Sequence, residues 1–381
     1  MILTEEQKAL IALSCVDGVG PVIAHSLLEL CGSATNLWNK GKEDLLRLDG
    51  VGPKLASAIY DGAALVKAQE EIAIFEQNSR LNICFSGETD YPELLKGCVD
   101  APLLFYYYGQ LPKSDALWIS IVGSRSCTGY GETMVDKIVK SIAEKTPEAV
   151  IVSGLAYGID ILAHRAALKY GLKTVAVLAH GLYTLYPAAH RRDAENIIAA
   201  GGTVLTEYPY YTKALPARFL ARNRIIAGLS HATIVVESAT KGGSLVTADL
   251  AFSYSRSVFA VPGRVGDILS SGCNELISQQ KASIYCSMED LLEEIGWSGF
   301  KQTNNEIIQQ SIGIFACIPE DLKSSRYYPI LKERGMCTME DMALMLGMPT
   351  HVVSAELFEL ELNGYLRSKP GGIYELEPQY K

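Results

Sequence analysis

The chain has 381 residues, of which 48% are hydrophobic and 20% are charged, and its formal net charge is −9. One hydrophobic core rarely organises so many residues, so we expect two or three domains. The segments 1–80, 81–296 and 297–381 each contain more acidic than basic residues. A basic field over a whole domain is therefore excluded as a means of binding nucleic acid. Any phosphate would have to be bound by a local patch or by backbone amides.

The N-terminus and the apolar runs predict a cytoplasmic protein without a membrane span. Two acidic residues come early, and no basic region precedes an apolar stretch, which is unlike a signal peptide. The longest apolar runs, such as 232–236, are far shorter than the roughly 20 residues that cross a bilayer. The nine cysteines are odd in number and form no CxxC pair. This usage is typical of reduced core thiols and not of a zinc site or a disulfide framework.

An internal repeat marks the first segment, 1–80. The sequence Asp-Gly-Val-Gly-Pro occurs at 17–21 and again at 49–53, and an apolar helical pattern follows each copy. Each copy predicts a helix, a glycine hairpin and a second helix that begins at proline, which resembles the tandem helix-hairpin-helix units of SAM-like domains. The glycines could bring backbone amides close to a DNA phosphate. Because the segment is acidic, we favour the simpler interpretation that the hairpins turn one helix onto the next.

Strands and helices alternate within the second segment, 81–298, whose first part, 81–115, is predicted to be a leading strand and a connection. The further predicted strands are 117–122, 149–153, 173–179, 203–206, 232–237, 257–261 and 282–285, and helices are predicted at 130–144, 158–170, 188–200 and 243–254. Continuous apolar strands that alternate with helices are typical of a parallel sheet covered on both faces. We therefore predict a Rossmann-like, doubly wound α/β domain whose ligands lie beyond the carboxyl ends of the strands.

The last part of the chain predicts a linker, 299–310, and a winged-helix domain, 311–381. Helices are predicted at 326–335, 339–346 and 350–363, and two short strands flank the turn-rich tip 368–372. The second motif helix contains three glutamates and no lysine or arginine before Arg367. We therefore favour a protein-contacting or structural role over insertion into a DNA groove.

Two of the predicted strand-to-helix loops have the composition of anion sites. One consists of Gly123, Ser124 and Arg125, and the other runs through Lys241, Gly242, Gly243 and Ser244. Glycine and small polar residues ahead of a helix direct backbone amides at an anion, and a neighbouring cation reinforces the site. Neither loop is a GxGxxG or Walker motif, so no nucleotide cofactor is predicted. Together they predict a groove for a phosphodiester strand.

A third loop begins with Ser153 and Gly154 and leads to Asp160 and His164. An acid–base pair is one interpretation of the last two residues, but no nucleophile is evident nearby. We favour Asp160 as a helix-capping acid and His164 as its partner one turn later.

A fourth candidate loop contains Arg222, Asn223 and Arg224 ahead of an apolar stretch. Arginines at positions i and i+2 lie on different faces of a helix. One of them could therefore pair internally while the other faces a ligand.

These motifs and their neighbours resemble the DNA-processing protein A family (DprA, also called Smf) over residues 85–290. The matching runs are 121–125, 152–160 with His164, 222–230, 236–237, 243–248, 260–263 and 271–274. The SAM-like front segment and the winged-helix tail also fit arrangements of that family, which extends the resemblance to nearly the whole chain.

The resemblance implies a binding protein and not an enzyme. It implies that the chain binds and protects incoming single-stranded DNA, loads RecA recombinase during natural transformation and forms a homodimer through the Rossmann-like domain. It also implies that Gly123, Ser124, Arg125 and the loop 241–244 contact phosphates, without a metal or a cofactor. Phe219, Tyr157 and Phe252 are further candidates for stacking on bases.

Two alternatives belong to other functional classes. The glycine-rich loop resembles that of nucleoside-monophosphate phosphoribohydrolases, but the residues after Gly243 depart from the catalytic end of that motif. The other alternative is a pure interaction scaffold. It predicts no DNA affinity even at low salt.

Overall fold

The computed structural model describes residues 3–297, 320–369, 372–377 and 380. The chain forms two compact units, residues 1–297 and residues 298–381. The predicted boundary at residue 80 falls inside the first unit, so a separate helical domain stays a prediction. The predicted linker 299–310 lies outside the described residues. Within the described ranges, no helix combines the length and the apolar character needed to cross a membrane.

Helices alone make up the beginning of the first unit. They are α1 (Glu5–Ser14), α2 (Pro21–Cys31), α3 (Ala34–Trp38), α4 (Lys42–Leu46), α5 (Pro53–Tyr60) and α6 (Ala63–Gln77). The two repeats turn at Gly18 and Gly50, whose positive φ angles of 89° and 76° suit glycine. Buried side chains of α1 and α6, such as Ile11 and Phe75, pack against the first two strands of the sheet. The hairpins therefore do turn successive helices within a packed bundle.

A central sheet follows these helices. Its strands are β1 (Asn82–Phe85), β2 (Leu104–Gly109), β3 (Trp118–Gly123), β4 (Val150–Ser153), β5 (Lys173–Val177), β6 (Thr203–Thr206), β7 (Ala232–Val236), β8 (Ser257–Ala260) and β9 (Ser283–Ile284). Among the described residues their order is β1-β2-β6-β5-β4-β3-β7-β8-β9. In that order, the seven strands β6, β5, β4, β3, β7, β8 and β9 are parallel to one another. Strand β2 pairs antiparallel with both β1 and β6. The segment 81–115, predicted to hold one strand, thus supplies two.

Helices cover both faces of this sheet. They are α7 (Glu93–Lys96), α8 (Gly129–Lys145), α9 (Ile159–Lys169), α10 (Arg191–Ala199), α11 (Pro216–Gly228), α12 (Gly243–Ser253), α13 (Ser271–Ser278) and α14 (Met288–Glu294). Because neighbouring residues of a strand point to opposite faces, Ile121 packs with α8 and α9 while Val122 packs with α11 and α12. Full burial of such a side chain contributes about 1.5–3 kcal/mol. The doubly wound α/β fold is confirmed.

The second unit has the winged-helix fold. Its elements are α15 (Glu320–Lys323), α16 (Tyr328–Arg334), β10 (Met336–Thr338), α17 (Met339–Leu346), α18 (Thr350–Leu362), β11 (Leu366–Lys369) and β12 (Ile373–Leu376). Thr338 caps α17 by accepting a hydrogen bond from the Asp341 amide at 3.1 Å. The short strand β10, which was not predicted, pairs with β12. On α18, Glu356 accepts a hydrogen bond from Tyr327 and Glu361 accepts one from Ser368, so both glutamates support the unit itself.

Candidate nucleic-acid interface

The chain changes direction across the sheet between β3 and β7, where an α/β sheet usually binds its ligand. From β3 the chain proceeds through β4, β5 and β6, and it then returns to β7 on the other side of β3. A cleft of about 450 Å³ lies at the carboxyl ends of β3 and β7. Its lining includes nine of the predicted site residues, namely Gly123, Ser124, Arg125, Arg222, Asn223, Lys241, Gly242, Gly243 and Ser244. The structure thus brings three separate sequence motifs to one place.

The loop after β3 follows the neighbouring strand closely. A Cβ atom at Gly123 would overlap the carbonyl oxygen of Val236 and would lie 2.6 Å from Cγ1 of Ile159. The Ser124 amide donates a hydrogen bond to the carbonyl of Glu237 at 2.7 Å. Arg125 then extends into solvent and takes part in no ion pair among the described residues. A tightly held backbone therefore presents an unpaired cation at the cleft.

Glu237 connects the two loops that form the cleft. It is buried and has a φ of +54°, a conformation that non-glycine residues rarely adopt. Its carboxylate accepts hydrogen bonds from the backbone amide of Thr128, at 2.7 Å, and from the Thr128 hydroxyl. The sequence places Glu237 within a matching run, but a side chain that ties two loops together cannot be recognised without their spatial arrangement.

The loop after β7 opens the helix α12 without a side-chain cap. Gly242 is the N-cap residue and Gly243 is the first helical residue, so the amides of the first turn point away from the helix without a side-chain acceptor. The Ser244 hydroxyl donates a hydrogen bond to the Ser238 hydroxyl at 2.8 Å. Lys241 is exposed and has no ion-pair partner within the described ranges. This loop has the chemistry of an anion site.

The segment with Arg222, Asn223 and Arg224 was predicted to be a loop, and this prediction is wrong. The three residues lie in the middle of α11. The helix begins at Pro216. Because proline is common at the first position of a helix, Pro216 could have indicated from the sequence where α11 begins. The side-chain Nδ2 of Asn223 donates a hydrogen bond to the carbonyl of Gly243 at 3.3 Å, and both residues line the cleft.

Arg222 lines the cleft from a buried position. Its Nη1 donates hydrogen bonds to the carbonyl of Gly154, at 2.8 Å, and to that of Val177. Its Nε has no hydrogen-bond partner among the described residues. Burial lowers the pKa of Arg222 to about 10, with Asp160 opposing the shift. The guanidinium is therefore still charged at neutral pH, with one buried donor unused.

Three predicted site residues do not line the cleft. Arg224 pairs with Glu207 and donates a hydrogen bond to the carbonyl of Asp100 at 2.5 Å. The buried Ser153 hydroxyl donates to the carbonyl of Ile121 at 2.7 Å, and the Gly154 carbonyl binds Arg222. These residues hold neighbouring elements together, and Arg224 is the internally paired arginine of the two.

Asp160 and His164 have separate partners. The N-cap of α9 is Gly158, with a φ of +72°, and the Asp160 carboxylate accepts a hydrogen bond from the Gly154 amide at 3.2 Å. Burial raises the pKa of Asp160, and Arg222 partly opposes the shift. His164 hydrogen-bonds Thr174 through Nδ1 at 2.7 Å, while its Nε2 has no partner among the described residues. The two side chains therefore do not form the predicted pair.

His164 is expected to make the protein less stable at acidic pH. Burial, with Arg222 nearby, lowers the pKa of His164 to about 3. Because the unfolded chain has a histidine pKa near 6.5, it binds a proton first as the pH falls, and the folded state loses up to about 1.4 kcal/mol per pH unit between these values. Urea unfolding at several pH values checks this result. His164→Gln should weaken the dependence, and an identical pH profile in that variant would refute the assignment.

An aromatic ring lies beside the cations of the cleft. The guanidinium carbon of Arg125 is 5.4 Å from the ring centroid of Phe219, and that of Arg222 is 6.0 Å away. Of the other predicted aromatic candidates, Tyr157 stacks edge-on against His190 at 4.9 Å, and Phe252 is exposed on α12 outside the cleft lining. Of these three rings, Phe219 is the one placed at the cleft.

Comparison with known families agrees with this organisation. The family model of the DNA recombination-mediator protein A matches residues 82–296, and the model of the DprA winged-helix domain matches residues 333–372. The first match covers the whole sheet with the cleft, and the second lies within the winged-helix unit.

Individual relatives extend the match. The DNA processing protein DprA of Streptococcus pneumoniae is 43% identical over 204 residues, which are 54% of this chain and 71% of that protein. Protein Smf of Escherichia coli is 34% identical over 292 residues, or 75% of each chain.

Two solved structures share the fold. The S. pneumoniae DprA structure has a TM-score of 0.64 and 33% identity, and the match covers 77% of this chain and 99% of that one. DNA processing protein A from Helicobacter pylori, whose structure concerns a single-stranded DNA binding mode, has a TM-score of 0.51 and 29% identity over 57% of this chain and 97% of that one. This chain belongs to the DprA/Smf family of DNA-processing proteins.

Proposed function

We propose that the chain binds single-stranded DNA in the cleft between β3 and β7. The observation that carries this proposal is the meeting of two glycine-containing loops at the switch point of the sheet, where Arg125 and Lys241 line the cleft without an ion-pair partner among the described residues. One of these loops opens α12 without a side-chain cap. Backbone amides and these cations together match the negative charge of a phosphodiester strand. The single-stranded DNA binding mode of the H. pylori relative supports the same ligand.

The aromatic ring in the cleft supports a preference for single strands. Phe219 is half-buried beside Arg125. A base can stack on such a ring only when it is not paired within a duplex. Comparing the affinity of an oligothymidylate with that of a duplex of equal length tests this preference.

A catalytic role is not part of the proposal. The Glu237 carboxylate accepts hydrogen bonds from both donors of Thr128, which supports a structural task. Release of the base from AMP, measured against buffer, is the discriminating assay. Turnover that disappears in Glu237→Ala would favour the phosphoribohydrolase alternative.

The proposal extends to RecA loading in the cytoplasm during natural transformation, by a homodimer formed through the Rossmann-like unit. Its support is the family membership. We expect the protein to speed the onset of RecA ATP hydrolysis on DNA coated with single-strand-binding protein, because a bound mediator can deliver RecA to the strand. Arg125→Ala/Lys241→Ala should not do so. An unchanged lag with the wild-type protein would contradict the loading role.

A further inference from the structure

A group of tyrosines continues from the cleft along the carboxyl ends of the neighbouring strands. Tyr183 and Tyr186 lie in the loop after β5, and Tyr210 and Tyr211 lie in the loop after β6. We call these four residues the tyrosine track. The ring of Tyr186 is 5.6 Å from that of Phe219, so the track begins at the aromatic residue of the cleft.

Three rings of the track, those of Tyr183, Tyr210 and Tyr211, contact one another. The centroid of Tyr183 is 4.7 Å from that of Tyr211 and 5.9 Å from that of Tyr210. The two loops are also hydrogen-bonded, since the Tyr183 amide donates to the carbonyl of Tyr210 at 3.1 Å and the Gly181 amide donates to that of Thr212 at 2.9 Å. The rings are therefore held by backbone contacts between the loops.

Three of the four tyrosine side chains of the track are exposed to solvent. Tyr183, Tyr186 and Tyr211 are 61%, 50% and 58% exposed. Adjacent exposed rings are unusual on a surface without a ligand, because large apolar side chains are normally removed from water. These rings are open to a partner.

Cations beside the track identify the chemistry of that partner. Arg80 and Arg191 line a recess of about 320 Å³ together with Tyr183. Neither arginine forms an ion pair within the described part of the chain, although Glu195 also lines the recess. Exposed rings next to unpaired arginines are the combination with which proteins bind single-stranded nucleic acid, because each base offers a face for stacking and each linkage carries a negative charge.

We propose that a single strand leaving the cleft continues along the tyrosine track, with bases on Tyr186, Tyr183 and Tyr211 and its backbone near Arg80 and Arg191. This inference rests on the proposed function, since the strand must first occupy the cleft. It adds a second segment to the binding site. It also gives the path of the bound DNA across the sheet, from the end of β3 past β5 to β6.

A length series separates the two segments. The full-length protein is titrated with fluorescent oligothymidylates of about 4 to about 20 nucleotides. Wild-type affinity should rise beyond the length that fills the cleft. Tyr183→Ala/Tyr211→Ala should bind the shortest ligand normally and the long ones about tenfold more weakly. Tyr183→Phe/Tyr211→Phe should restore wild-type affinity, because it keeps the rings.

Controls make each outcome decisive. Tyr60→Ala removes a tyrosine of similar exposure, 59%, from α5, and it should follow the wild-type series. Normal binding of the shortest ligand shows that the alanine variant is folded; if it fails there, Tyr183→Leu/Tyr211→Leu replaces it. Equal affinities of wild type and ring-less variants at every length would overturn the track and leave the cleft intact. No binding by the wild-type protein would remove both.

Discussion

Gly123→Ala is expected to lower the free energy of unfolding by about 3 kcal/mol, as overpacking in a closed site does. The added Cβ would overlap the carbonyl oxygen of Val236 and press on Ile159 at 2.6 Å. That carbonyl belongs to β7, which pairs with β3 through this position. The two strands would therefore have to separate at the cleft. Chemical unfolding followed by circular dichroism measures the loss.

Gly243→Ala is the matched control for this substitution. Gly243 lines the same cleft, but a Cβ there would meet no heavy atom within 4 Å among the described residues outside its immediate chain neighbourhood. As the first residue of α12 it should tolerate alanine, with a change in stability of about 0.5 kcal/mol or less. Equal stabilities of the two variants would show that the close approach of β3 and β7 is not as the structure has it.

Arg125→Ala/Lys241→Ala is expected to weaken binding of single-stranded DNA about a hundredfold at low salt, with about 1.5 kcal/mol for each lost charge-assisted contact. Both side chains line the cleft and neither has an ion-pair partner in the described ranges, so their charges are available to phosphates. The slope of log K against log salt should flatten by about one to two units. Fluorescence anisotropy across a salt series measures both effects.

The corresponding control removes two cations near the amino ends of the parallel strands, opposite to the end that forms the cleft. Lys113 precedes β3 and Lys173 begins β5, and both are exposed. Lys113→Ala/Lys173→Ala changes the net charge by the same amount as the cleft variant. Its affinity and salt slope should stay close to those of the wild-type protein. If both double variants lost affinity equally, the charge of the whole protein and not the cleft would explain binding.

The sequence predicted the parallel part of the sheet well because those strands are continuously apolar. It failed at β2, whose aromatic run 105–108 was interpreted as part of a connection. This strand exists through antiparallel pairing with β1 and β6, and such pairing between distant segments has no local pattern. The short β10 was missed for the same reason.

The candidate site was predictable where a glycine-rich loop directly follows a strand. The anion-binding roles of Gly123 to Arg125 and of Lys241 to Ser244 stay predictions, but the structure brings these loops together. Sequence reasoning could not separate Arg222, which lines the cleft, from Arg224, which pairs with Glu207. The two arginines have different roles because each side of α11 contacts different carbonyl and carboxylate groups.

The most direct test of the central claim compares wild-type binding of a fluorescent single-stranded oligonucleotide and of a duplex of equal length across a salt series. The cleft predicts a clear preference for the single strand and an affinity that falls steadily as salt rises, because phosphate contacts release counterions. Equal affinity for the duplex, or no binding of the single strand at low salt, would contradict the proposed function and leave only the fold and the family established.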